Sequence, residues 1–315
     1  MPLIATISLN PSLDEHITVK RLVVEDVSRV QAFSKEPGGK GINVSRAIHE
    51  LGGQTIALGL IGGCDGWHVR ELLEREGVTT SFVTTSGETR TNVIITDASR
   101  GTQTKISHPG PQVRPLELET FHSFVAHLAH LSAPPAFLVM AGSLPPGIPS
   151  DYYARLIREA KGWGMKTALD TDGPPLSAGL EAKPDLIKPN LFEAQRLLGR
   201  DLKSESEIVA AGRELLGRGI ETVVISCSRQ GAFAFTGTDA WKGTAPQVTV
   251  VDTVGAGDSM LGAMVWRLSL GDPLNEALRW GLATGSAAVI TSGTELCYRA
   301  DVERLLEQAQ VEPVS

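Results

Sequence analysis

An alternation of two hydrophobic periods runs through almost the whole chain and limits what it can fold into. Short apolar runs that suit strands recur at residues 3–9, 55–60, 137–140, 166–169 and 222–226. Between them the apolar residues take helical spacing. Val44, Ile48 and Leu51 share one face, as do Tyr153, Leu156, Ile157 and Ala160, then Ile208, Leu215 and Leu216, then Leu261, Met264, Val265 and Leu268. Strand followed by helix, many times over, implies βαβ units with right-handed crossovers. The expected fold is therefore α/β, a mainly parallel sheet between two helical layers. Its ligand site should lie beyond the C-terminal ends of the strands.

Two stretches break the pattern. Residues 17–33 and 91–106 are rich in Val, Ile and Thr with polar residues interleaved and no helical period, and they read as exposed strands. One reading pairs them into a small antiparallel sheet that projects as a lid, formed by about residues 15–35 and 89–107; the other makes them ordinary edge hairpins. There is no internal repeat or long linker, so residues 1–315 are expected to form a single domain.

Charge narrows the choice of partners. Lys and Arg total 29 against 36 Asp and Glu, a net charge of −7, so no global basic field exists to attract nucleic acid or an anionic membrane. An anionic ligand must be held by a local site. Cys64, Cys227 and Cys297 are odd in number and far apart, which excludes a CxxC pair and fits a reducing cytoplasm. No signal peptide and no apolar run of about 18 residues is present.

The chemistry-bearing residues sit in glycine-rich segments at expected strand-to-helix junctions. Thr253-Val254-Gly255-Ala256-Gly257-Asp258-Ser259 lies between a strand-like run at 247–251 and a helical one at 260–268. Gly255, Ala256 and Gly257 let backbone N–H groups converge at a helix N-terminus, where a phosphate or developing anion is stabilised. Asp258 in that first turn can take a proton from an attacking hydroxyl, or it can simply cap the helix. No GxxxxGK[ST] occurs, and Met260 stands where a GxGxxG would need its third glycine.

The Glu36-Pro37-Gly38-Gly39-Lys40-Gly41-Ile42-Asn43 segment again leads into a helix. Gly38 and Gly39 allow close approach to a polyhydroxylated ligand, Asn43 offers donor and acceptor, and Lys40 can meet an anion. Asp14, past the first strand, can accept two sugar hydroxyls or serve a turn. In Lys188-Pro189-Asn190-Leu191-Phe192-Glu193, Asn190 and Glu193 share one face and can reach magnesium through water; the same pair also reads as a capping box. Ala141-Gly142-Ser143-Leu144-Pro145 is a further strand exit with small residues.

Taken together, Gly38 to Asn43, Gly142 to Pro145, Lys188 to Asn190 with Glu193, and Val254 to Asp258 resemble, in order and spacing, the PfkB sugar kinases of the ribokinase-like superfamily. The likeness covers nearly the whole chain. It implies a three-layer ribokinase-like domain with a β-sheet lid, phosphoryl transfer from ATP with Mg2+, and Asp258 as the base. It also places Asn190 and Glu193 in the magnesium region and Lys188, Ser226, Gly231, Thr253 and Ser286 near the nucleotide.

Within that family the chain resembles the phosphofructokinase branch. Thr89-Arg90-Thr91-Asn92 is similar to a segment whose arginine serves the substrate phosphate, and Lys105 adds charge nearby. The late 293–297 segment resembles 6-phosphofructokinases, whereas Lys40 and the Val27-Ser28-Arg29 run look more like 1-phosphofructokinases and tagatose-6-phosphate kinases. Fructose 6-phosphate is the expected substrate, with fructose 1-phosphate or tagatose 6-phosphate as alternatives and a catalytically silent sugar-phosphate sensor as the non-enzyme one. The branch also implies a homodimer through the lid, with Val23, Val24, Val30 and Val93 at the contact.

Overall fold

The computed structural model describes residues 1–291 and 296–314, so Gly293, Thr294 and Glu295 of the 293–297 segment lie outside the described residues. The strands in chain order are β1 (Leu3–Ser8), β2 (Ser12–Val19), β3 (Val30–Gly38), β4 (Gln54–Ile61), β5 (Thr80–Thr84), β6 (Arg90–Asp97), β7 (Thr102–Ile106), β8 (Phe137–Ala141), β9 (Lys166–Asp170), β10 (Leu186–Ile187), β11 (Thr222–Ser226), β12 (Ala232–Phe235), β13 (Ala240–Thr244) and β14 (Gln310–Pro313). The helices are α1 (Lys40–Glu50), α2 (Gly63–Arg75), α3 (Pro115–Leu128), α4 (Tyr152–Gly162), α5 (Gly173–Glu181), α6 (Leu191–Leu198), α7 (Glu205–Gly217), α8 (Ala256–Ser269), α9 (Leu274–Ile290) and α10 (Arg299–Leu306).

The large sheet has the order β14-β13-β12-β11-β10-β9-β8-β1-β4-β5. Every pairing from β11 to β5 is parallel, and the β12–β14 extension is antiparallel. Strand β8 is buried along its whole length because successive side chains enter opposite cores. Leu138 and Met140 pack with Phe121 of α3 and Tyr153 of α4, whereas Val139 packs with Val44 and Ile48 of α1 and Met264 of α8. Three layers result, as the alternation of periods requires.

The second sheet has the order β3-β2-β6-β7. Its β2–β3 and β6–β7 pairs are antiparallel, but β2 and β6, which join the two halves, run parallel. The expectation of a wholly antiparallel sheet is corrected here. Strand β2 follows β1 directly and β6 follows β5, so both leave the same edge of the parallel sheet and travel outward in the same direction. Pairing across the two halves also rules out separate edge hairpins. Residues 20–29 lie between β2 and β3 and form no strand. The expected strand at 247–251 is also absent: residues 245–250 run without a ladder, and Pro246 there has no N–H to give one.

Candidate active site

Four junctions converge at the C-terminal edge of the parallel strands, where helices α1, α6 and α8 begin and β9 ends in Asp170. Helix α8 starts from Gly255, whose φ of 76° is a left-handed conformation that suits glycine. Asp258 falls in its first turn and is 8% exposed. Helices α1 and α8 cross closely because Gly262 has no side chain: a Cβ there would stand 2.9 Å from the Val44 carbonyl oxygen. That approach brings Asn43 Nδ2 within 2.8 Å of Asp258 Oδ2, which accepts its hydrogen bond.

Burial pushes the Asp258 carboxyl above the ordinary carboxylate range. Asp170 pushes the same way, whereas Lys40, the Asn43 hydrogen bond and Lys188 oppose the shift without cancelling it. A carboxylate of raised pKa in a helix N-terminal field is a stronger proton acceptor than an exposed one, which suits a general base.

Asp170 was not singled out from the sequence, yet it organises the floor of the cleft. Its Oδ1 accepts from Lys40 Nζ at 2.8 Å and its Oδ2 lies 3.0 Å from Lys188 Nζ. Burial opposes its ionisation, but Lys188 and Lys40 outweigh this and hold its carboxyl below the usual range. For Lys40, burial favours the neutral amine, and the carboxylates of Asp170, Asp258 and Glu193 together reverse that, so the ammonium is retained. The only signal in the sequence was an aspartate at a strand's C-terminal end, a position many structural residues share.

The capping box at α6 is real. Asn190 Oδ1 accepts from the Glu193 N–H at 2.9 Å, and Glu193 Oε2 accepts from the Asn190 N–H at 2.8 Å. Glu193 Oε1 takes no part in it and lies 3.7 Å from Lys40 Nζ. Both residues line the cleft, so capping orients an oxygen toward it rather than competing with a role there.

The cleft has a volume of about 990 Å³. Lys188, Ser226, Gly231, Thr253 and Ser286 flank it from the β11 and α9 side, and Gly257 and Ala256 sit beside Asp258. Gly39, Lys40 and Asn43 also line it, with Asp14, Arg90 and Lys105 from the small sheet. Asp14 Oδ1 accepts from Ser12 Oγ at 2.6 Å and from Asn92 Nδ2 at 2.7 Å, which leaves Oδ2 for another donor. Ser12, two residues back along β2, and Asn92 orient Asp14, and Asn92 could not be read from the sequence because only the β2–β6 pairing makes it a neighbour of Asp14. Gly38 packs beneath Asp14 and Ser12.

Arg90 is half-buried and makes no ion pair among the described residues, although the Asp14 carboxyl acts on its charge. Its Nη1 donates to the His108 carbonyl at 2.8 Å, its Nη2 donates to the Asn10 carbonyl at 2.9 Å, and its Nε has no partner. Burial lowers its pKa. Lys40, Arg90 and Glu193 also line an adjoining cavity of about 610 Å³ that contains Ser143. Ser143 therefore stands behind the main cleft, where its Oγ accepts from Asn10 Nδ2 at 3.1 Å. Arg29 is not brought to either cavity. It is exposed just before β3 begins, at the far end of the small sheet from Asp14.

The α8 N-terminus, the buried Asp258 and the two lysines paired by Asp170 thus meet in one cleft with Asp14 and Arg90 of the small sheet. Residues 8–301 match the family described as pfkB family carbohydrate kinase, and the chain belongs to that family. It is a phosphofructokinase-like sugar-phosphate kinase, and the family implies ATP as phosphate donor. It is 32% identical over 313 residues to the 1-phosphofructokinase of Borreliella burgdorferi, covering 99% of each chain. It is 35% identical over 304 residues to the ATP-dependent 6-phosphofructokinase isozyme 2 of Escherichia coli, covering 96% of this chain and 97% of the other. The crystal structure of phosphofructokinase-2 from Escherichia coli in complex with potassium superposes with a TM-score of 0.92 at 34% identity, covering 98% and 99%.

Removing the Asp170 charge would leave two ammonium groups facing each other in a mostly buried site. Asp170→Asn is expected to cost about 3–5 kcal/mol, the usual penalty for breaking a buried pair, read as a lower urea midpoint at neutral pH. Because the folded pKa of Asp170 lies below its unfolded value, this contribution is present above the unfolded value and is lost as pH falls through the folded one. The midpoints of variant and wild type should therefore converge in acid; a constant gap would contradict the assignment.

Proposed function

We propose that the chain transfers the γ-phosphoryl group of ATP to a hydroxyl of a ketohexose phosphate, with fructose 6-phosphate as acceptor and fructose 1,6-bisphosphate as product. The observation that carries this reading is the buried Asp258, oriented by Asn43 between a cleft side bearing Lys188, Ser226 and Ser286 and one bearing Asp14 and Arg90. The first side suits the nucleotide and the second the sugar. Asp14 Oδ2 and Asn43 hold sugar hydroxyls, Asp258 takes the proton of the attacking one, and the α8 N–H groups with Lys40 meet the charge on the transferring phosphoryl group. The small sheet serves as a lid of the single kinase domain.

Magnesium would supply charge neutralisation on the phosphates. Glu193 Oε1 and Asn190 are hard oxygen donors that fit it through water. Among the described residues no group of three or more His, Cys, Asp and Glu could bind a metal by itself, so the remaining ligands would be water and nucleotide oxygens.

Fructose 1-phosphate is the second reading, favoured by the whole-length likeness to a 1-phosphofructokinase. An ADP-release assay across fructose 6-phosphate, fructose 1-phosphate, tagatose 6-phosphate and glucose 6-phosphate separates the candidates. The highest kcat/KM is expected for fructose 6-phosphate, and a higher value for any other sugar phosphate would replace it. In the same assay Asp258→Asn should lower kcat by about 10²-fold or more, because a general base contributes 10² to 10⁴. Sugar-phosphate binding should survive; near-normal turnover in folded protein would remove Asp258 as the base.

Arg90, charged and in no ion pair among the described residues, is the group for the phosphate already on the substrate, with the Ser143 cavity beside it. Arg90→Ala is expected to raise KM for the sugar phosphate by about tenfold to a hundredfold, as for a lost charge-assisted bond of roughly 1.5 to 3 kcal/mol. KM for ATP should hardly change. An equal effect on both substrates, or none, would contradict the role.

The small sheet leaves Val30 and Phe33 each 54% exposed and Ile106 51% exposed, with Val23 and Val24 exposed beside them and Val93 half-buried. A second copy of the chain covering this face makes a homodimer. Light scattering at micromolar concentration should give twice the chain mass, and a monomer mass independent of concentration would overturn it. No described helix is long and apolar enough to cross a membrane, and Cys64 and Cys227 form no disulfide. Both suit the cytoplasm.

A further inference from the structure

Glu36, in β3, is a buried carboxyl with no part in the mechanism above. It is 9% exposed, and its Oε1 has no hydrogen-bond partner among the described residues. It stands directly opposite Asp14 in the β2–β3 ladder, so the two carboxyls share one face of the small sheet, the face that meets the cleft. The other charged groups around it come from every element packed there. Asp252 approaches from the segment before α8, Glu76 from the end of α2, and Arg46 from α1. Arg46 already grips Glu76, with its Nε and Nη2 donating at 2.6 and 2.8 Å. His16, two residues along β2 from Asp14, places Nε2 3.6 Å from Glu36 Oε2. Asp252, Asp14 and Lys105 surround that imidazole, and burial lowers its pKa, so it adds no settled positive charge.

We propose that Glu36 is a positioning residue that must keep its proton for the small sheet to hold Asp14 over the sugar. Like charges directly opposite each other across an antiparallel pair are destabilising. A carboxylate at Glu36 would face that of Asp14 with Asp252 and Glu76 also near, so relief requires Glu36 to move toward water or Asp14 to leave its bonds with Ser12 and Asn92. Protonated, Glu36 is a neutral spacer and Asp14 stays in place. The separate titration argument agrees: burial, reinforced by Asp252, Asp14 and Glu76 against the opposing Arg46, raises the Glu36 pKa to about 8. The lid thus carries an alkaline limit on substrate affinity that the base Asp258 does not set. This inference rests on the reading of Asp14 as the sugar-hydroxyl acceptor.

Glu36→Gln, a near-isosteric mimic of the protonated acid, tests it with two readouts. KM for the preferred sugar phosphate should climb about tenfold between pH 7 and pH 9 in the wild type, as for loss of one proton near pH 8, and stay flat in the variant, with kcat at pH 7 little changed by the substitution. Parallel KM profiles in the two proteins would overturn the proposal. The second readout needs no substrate. A carboxyl whose pKa is raised by folding loses stability for the protein as pH rises from the unfolded value to the folded one. The Tm of Glu36→Gln should therefore exceed that of the wild type by a margin that widens from about pH 5 to pH 8 and then levels. Parallel Tm curves would overturn the proton on Glu36 even with normal activity. A widening Tm margin with no sugar-phosphate turnover at any pH would instead overturn the reading of the cleft.

Discussion

The cleft depends on one carboxylate that touches two cations. Asp170, at the end of a central strand, holds Lys40 from the start of α1 and Lys188 from the approach to α6. Without it, two ammonium groups drawn in by the fold would repel across the space a phosphate needs. With it, both lysines are paired with a carboxylate, and their joint field tempers the rise in the Asp258 pKa without abolishing it. The same three side chains thus set both the local charge of the cleft and the environment of the Asp258 carboxyl.

Packing supplies what electrostatics alone cannot. Asn43 and Asp258 are 215 residues apart, and they meet because α1 and α8 cross at Gly262, where any side chain would collide with the Val44 backbone. The buried core of Val44, Ala47, Ile48, Leu261 and Met264 locks that crossing. That hydrophobic packing therefore fixes the Asn43–Asp258 distance in the cleft. The small sheet works by a similar logic: its parallel β2–β6 junction puts Asn92 beside Asp14, and its antiparallel β2–β3 ladder puts Glu36 opposite the same residue.

Much of this was readable in the chain itself. The alternation of strand and helical periods specified three layers, because a parallel strand buried on both faces must be apolar throughout and a crossover helix must be amphipathic. Gly255 with Asp258, Asn190 with Glu193, and Lys40 with Asn43 were legible since each is a local spacing at a helix N-terminus, and local geometry follows from local sequence. Arg29, singled out by resemblance alone, lies just before β3 at the far end of the small sheet from Asp14, a placement that no local spacing specifies.

Tertiary structure alone decided the rest. No spacing relates Asp170 to Lys40, Asp14 to Asn92, or Glu36 to Asp252; these pairs are made by sheet order and register, which depend on how whole elements pack. The direction of the β2–β6 pairing likewise came from where the two strands leave the main sheet, a fact about the sheet's edge rather than about either segment. The sequence by itself determined the elements, their order and the helix-terminal groups that carry the chemistry. The environment of those groups, including the burial that raises Asp258 and the ion pairs that lower Asp170, is a sum over distant residues and exists only once the chain has folded.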